Sequence, residues 1–109
     1  MQNLENLYII VLVTTASKQE AETISQALLE NKLIACANIV GPVSSHFHWQ
    51  GRVDHAEEFL VFMKSRLDLF DAVAAQVKAL HSYEVPEVLA LPVVKGSATY
   101  LNWIASALR

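Results

Sequence analysis

Five side chains in this sequence belong to types that copper and zinc select, Cys36, His46, His48, His55 and His81, and four more could line a binding cleft, Trp49, Lys64, Tyr83 and Glu87. His46 and His48 are two residues apart, so on a strand they share a face. A two-residue turn at Gln50-Gly51 sets His55 opposite His46, and a turn at Gly51-Arg52 would set it opposite His48; either register keeps all three imidazoles on one side. Directly opposed Cβ atoms are about 5 Å apart, within reach of one ion for two imidazoles. Set against this, histidines on a wet hairpin face serve solubility, and an unbraced site lacks the outer contacts that orient ligands. Cys36 lies in the apolar run ACANIV, where a free cysteine commonly packs as a small hydrophobe. His81 follows a helix-period stretch, where an imidazole also complements the helix dipole.

Residues 81–87, HSYEVPE, form a connector between that helix and the run VLALPVV. Tyr83 can bury its ring while keeping its hydroxyl wet, and Pro86 biases its neighbour to an extended backbone, which aims Glu87 as the chain enters a strand. Lys64, between Met63 and Ser65, requires a partner if buried, and Glu87 is the expected one. Such a pair in an intersubunit cleft would receive an anionic or chelating ligand, or act as an intersubunit salt bridge. Trp49, near the hairpin tip, suits an interface anchor. The sequence carries no glycine-rich phosphate loop, no HExxH and no evident nucleophile with its base and orienting group, so an enzyme is not expected.

These residues need a scaffold. YIIVLVT (8–14) has the continuous apolar character of a strand covered on both faces. Ser17 and Glu20 read as a capping box for a helix to about Asn31. ACANIVG leads through Gly41-Pro42, a bulge or bend, into a strand with Val43, Ser45, Phe47 and Trp49 on one face and Ser44, His46 and His48 on the other. The chain returns through VDHAEEFLVFMKS, apolar on both faces from Phe59 to Met63. Ser65 and Asp68 resemble a second capping box before a helix with Phe70, Val73, Val77 and Leu80 on its stripe. Pro92 places VLALPVV at a sheet edge, and Gly96-Ser97 opens a last helix. The order β-α-β-β-α-β with an added C-terminal helix predicts an α+β, ferredoxin-like sandwich: an antiparallel sheet with both crossover helices on one side, in a single domain over 1–109. Apolar residues on both faces of that sheet predict cover by other subunits.

Composition agrees with self-association. Apolar residues make up 53% of the chain and charged ones 17%, an excess of apolar surface for a small domain. No apolar run approaches the roughly 20 residues of a spanning helix, so no membrane partner is expected. A net charge of −3 with eight scattered basic residues argues against nucleic acid. The opening MQNLENLY lacks the features of an export signal and one cysteine permits no internal disulfide, so a reducing, cytoplasmic location is expected.

Several colinear stretches together resemble the CutA family of divalent-cation tolerance proteins. These are TTASKQEAETISQALLENKLIACANI, SHFHWQG, HSYEVPEVLALPV and the C-terminal YLNWI. The resemblance implies a ferredoxin-like subunit in an interlocked homotrimer, a role in tolerance of copper and other divalent cations, and a likeness to PII-type trimers that bind small molecules between subunits. No obligatory cofactor is expected, copper or zinc being the candidate ions, and a trimer that serves only as a scaffold presenting an interaction surface to another protein is a third reading. The chain departs from the family pattern at Ser82, where proline is usual, at Phe47 for tyrosine, at Gln50 for glutamate and at Ser65 for threonine.

Overall fold

A computed structural model describes residues 7–109; MQNLEN, which belongs to the expected 1–109 domain and to the stretch read as carrying no export signal, lies outside them. The elements are β1 (Tyr8–Thr15), α1 (Lys18–Glu30), β2 (Cys36–Trp49), β3 (Arg52–Arg66), α2 (Phe70–Leu80), β4 (Leu89–Pro92) and α3 (Ala98–Ala107). The four strands form one antiparallel sheet in the order β2-β3-β1-β4, the expected α+β topology with an added helix.

The layering follows from alternation. Ile9, Val11, Val13 and Thr15 of β1 stand opposite Ser65, Met63, Val61 and Phe59 of β3. These side chains point toward α1 and α2, where Ile24, Leu28, Val73 and Val77, each without exposed surface, complete the core. Each fully buried aliphatic side chain there contributes about 1.5–3 kcal/mol. The opposite face holds Ile10, Leu12, Val40, Leu60, Phe62, Leu89 and Leu91, and among the described residues no helix covers it. Within one chain the β1 strand is therefore buried on one side only. Val40, Leu89 and Leu91 remain about half exposed, at 49%, 55% and 48%.

Local signals produce the helix starts and the hairpin. Ser17 accepts from the Glu20 N–H, while the Glu20 carboxylate turns back to the Ala16 N–H, one residue ahead of the cap. Ser97 caps α3 by accepting from the Tyr100 N–H. Gln50 (φ 51°) and Gly51 (φ 80°) both adopt left-handed backbone, the pattern of a two-residue primed turn that suits the twist of its strands. Gly41-Pro42 forms the expected bulge between Val40 and Val43. A Cβ on Gly41 would meet the Phe59 ring at 2.5 Å, so glycine lets that ring lie against the strand.

The second capping box needs correction. Ser65 does not cap α2: it is a fully buried strand residue whose hydroxyl donates to the Leu33 carbonyl, and Asp68 pairs with Arg66 instead. The helix begins after a 3-10 turn, Leu67–Leu69, with no side-chain cap. Of VLALPVV, Leu89–Pro92 forms the strand beside β1, with the Val93 N–H donating to the Tyr8 carbonyl at its end, and Pro92 sits on this edge strand as expected.

Candidate functional site

The hairpin, the end of β1 and the loop after α2 line a half-open cavity of about 790 Å³. Phe47 and Trp49 come from β2, Asp54 and Glu58 from β3, and Thr14 from β1. The wall is Ser82 to Val85, with Glu87 beyond. Three of the four residues expected in a cleft, Trp49, Tyr83 and Glu87, thus meet at one cavity. Lys64 does not line it. Its ammonium donates to Asn38 Oδ1 and lies 3.7 Å from the sulfur of Cys36, its cross-strand partner. Lys64 lies six positions along β3 from Glu58, roughly 20 Å along the strand. The expected Lys64–Glu87 pair is therefore absent within the chain, and Glu87 has Glu58 as its charged neighbour.

The loop is held by a chain of hydrogen bonds. The His81 side chain is wholly buried. Its Nε2 lies 2.7 Å from the Thr14 carbonyl, which can only accept, and its Nδ1 accepts from the Tyr83 N–H at 3.0 Å. The imidazole is therefore the Nε2–H tautomer. It does not cap helix carbonyls; it ties the end of α2 to β1. Glu20 braces the same loop, accepting from the Ser82 N–H at 2.7 Å and from Ala16 at 3.1 Å. Burial pulls its acidity the other way, yet these hydrogen bonds hold its carboxyl below the usual value. Tyr83 then donates its hydroxyl to Glu58 Oε2 at 2.6 Å. Burial, reinforced by the Glu58 carboxylate, pushes the Tyr83 phenol up. Glu87 is raised by burial and then by Glu58.

Of the other candidates, His46 also lines the cavity, while Cys36, His48 and His55 do not. Cys36 is half-buried, with Asn38 Oδ1 at 3.6 Å, and it sits near the Ile10 end of the sheet, whereas His81 touches Thr14, roughly 13 Å farther along β1. Those two residues do not share a site within one chain. His46 stands directly opposite His55, and His48 opposite Val53, the Gln50-Gly51 register. Among the described residues no three His, Cys, Asp or Glu side chains converge to hold a metal ion.

Glu58 and Glu20 are the residues that reading the sequence underrated. Glu58 is only 7% exposed, and its one legible signal was a carboxylate adjoining the apolar run FLVFM. The capping box identified one oxygen of Glu20, while the other serves a loop 62 residues away.

The sequence model of a family described as CutA1 divalent ion tolerance protein matches residues 9–107. The chain is 43% identical over 95 residues to the divalent-cation tolerance protein CutA of Thermus thermophilus, covering 87% of this chain and 92% of that one. The solved structure from that organism has a TM-score of 0.91 at 40% identity, over 94% of this chain and 99% of that one. The structure of CutA1 from Oryza sativa has a TM-score of 0.92 at 37% identity, over 98% of each chain. A rice relative is named chloroplastic; it is 40% identical over 93% of this chain, which spans 57% of its length. The Archaeoglobus fulgidus protein, named a periplasmic divalent cation tolerance protein, has a TM-score of 0.91 at 39% identity, over 94% of this chain and 99% of that one.

Proposed function

The chain belongs to the CutA1 divalent ion tolerance family, and from that membership we propose that it serves divalent-cation tolerance as a non-catalytic homotrimer that binds copper or zinc directly. The observation that carries this reading is the helix-free face of the sheet. Ile10, Leu12, Val40, Leu60, Phe62, Leu89 and Leu91 form one apolar surface, and packing against copies of itself removes it from water. Lys64 lies on that same face, at its border with Cys36, so assembly offers it the carboxylate of a neighbour's Glu87 or Glu58. The salt bridge expected from the sequence is then an intersubunit one. A single domain over 1–109 and a cytoplasmic location complete the reading, the latter supported by the lone cysteine.

A second reading is favoured by the cavity. Its volume of about 790 Å³ and its mixture of aromatic and carboxylate side chains suit a small molecule. In that case the trimer is a PII-like sensor whose clefts lie between subunits, with Trp49, Lys64, Tyr83 and Glu87 as lining. Light scattering tests the assembly, which requires three chains of 12.1 kDa. Calorimetric titration of metal-stripped protein with copper, zinc and nucleotides separates the readings. Stoichiometric metal uptake supports the first, chelator-insensitive nucleotide binding supports the second, and a stable monomer overturns both.

A further inference from the structure

We propose that His46 and His55 form a two-imidazole chelate for a late first-row divalent ion on the β2–β3 hairpin. This inference rests on the reading that the chain takes up copper or zinc directly, and it adds where. The two residues are a direct cross-strand pair, their rings stacked with centroids 5.7 Å apart and planes inclined by 27°. A metal about 2.1 Å from an imidazole nitrogen sits roughly 3.2 Å from the ring centre, so two rings on one ion stand about 4.5 Å apart at a right angle and about 6.4 Å apart in line. The observed separation falls within that range; because a metal lies in the plane of each ring, the stacked rings must turn about their side-chain torsions to aim both nitrogens at one ion, which their exposed positions allow with no movement of the backbone.

Three features favour this pair over scattered surface histidines. The register is locked by the left-handed Gln50-Gly51 turn, so the rings face each other before any ion arrives. Ser44 Oγ lies 3.2 Å from His46 Nε2, an outer contact that orients the ring and leaves Nδ1 for the metal. The face carries no lysine or arginine over this stretch: Ser44 stands opposite Glu57, His46 opposite His55 and His48 opposite Val53, so no fixed positive charge repels a cation there. Imidazole selects copper, nickel and zinc, with Cu²⁺ bound most tightly, and water completes the coordination. Protons compete for the same nitrogens, so uptake falls on acidification.

The test is titration of the untagged, metal-stripped full chain with CuCl₂ and ZnCl₂, comparing wild type, His46→Gln/His55→Gln, and that double variant carrying Val53→His as well. Cys36 stays intact throughout. Val53 is 70% exposed and lies opposite His48, two residues along the ladder, so the third variant rebuilds the same kind of opposed pair one step nearer the turn. The double variant is expected to lose about tenfold or more in Cu²⁺ affinity, and the triple variant to recover it. Wild type that binds metal with an unchanged double variant overturns the hairpin site and leaves direct metal binding standing. Loss in the double variant with no recovery in the triple overturns the role of cross-strand geometry. Wild type that takes up no metal overturns both.

Discussion

The Tyr83 hydroxyl donates a 2.6 Å hydrogen bond to Glu58, joining the loop after α2 to the long hairpin across the cavity. Removing the hydroxyl with Tyr83→Phe leaves one oxygen of a nearly buried carboxylate without its donor. The expected cost is about 1–3 kcal/mol of unfolding free energy. Denaturant titration of Tyr83→Phe, Glu58→Gln and the double variant is the check, with a coupling of at least about 0.5 kcal/mol expected. Strictly additive effects would mean the bond contributes nothing.

His81 is the second tie. His81→Phe keeps a ring of similar breadth but leaves the Thr14 carbonyl and the Tyr83 N–H without partners. Two orphaned backbone groups predict a loss of about 2–4 kcal/mol. Hydrogen exchange should locate the damage: the Tyr83 amide should exchange faster in the variant, while the amides of α1 keep their protection relative to global stability.

Glu20 predicts a pH dependence. Its carboxyl is held below the ordinary value of 4.5 in the folded chain, so the folded state favours the ionised form. The stability this supplies is fully present above pH 4.5 and is lost as the pH falls through the depressed folded value. Glu20→Gln should therefore be less stable than wild type at neutral pH, and the gap should narrow steadily below pH 4.5. Thermal unfolding at a series of pH values measures it; a gap that stays constant into acid would remove ionisation from the account.

Assembly through the bare sheet face predicts the behaviour of Phe62→Asp. Phe62 is half-buried within one chain, at the centre of that face, and a carboxylate there would be trapped between subunits. The variant should scatter light as a 12.1 kDa monomer or fail to assemble stably. Trimers of undiminished stability would place the interface elsewhere.

Gly51→Val probes the hairpin turn. At φ 80° a β-branched residue is strained, at a cost of about 1–2 kcal/mol, although nothing stands within 4 Å of the added carbon. Reduced thermal stability with unchanged helix content by circular dichroism is expected.

What the sequence by itself determined is what short-range rules govern. Ser17 and Ser97 started helices, Gly41-Pro42 marked the bulge, and His46, His48 and His55 were confined to one face of the hairpin in either register, because each depends only on residues a few positions apart. The element order, with right-handed crossovers, then left few arrangements of four strands. Ser65 misled for the same reason: its local pattern matched a cap, but a buried hydroxyl bond to Leu33, 32 residues away, claimed it for the strand. Only the tertiary structure decided which carboxylate meets Tyr83 and which carbonyl meets His81. It also decided that Lys64 engages Asn38 and Cys36 within its own chain. Those contacts join positions 25 to 67 residues apart, and their partners depend on the twist of the sheet and the path of the loop, quantities that no local pattern encodes.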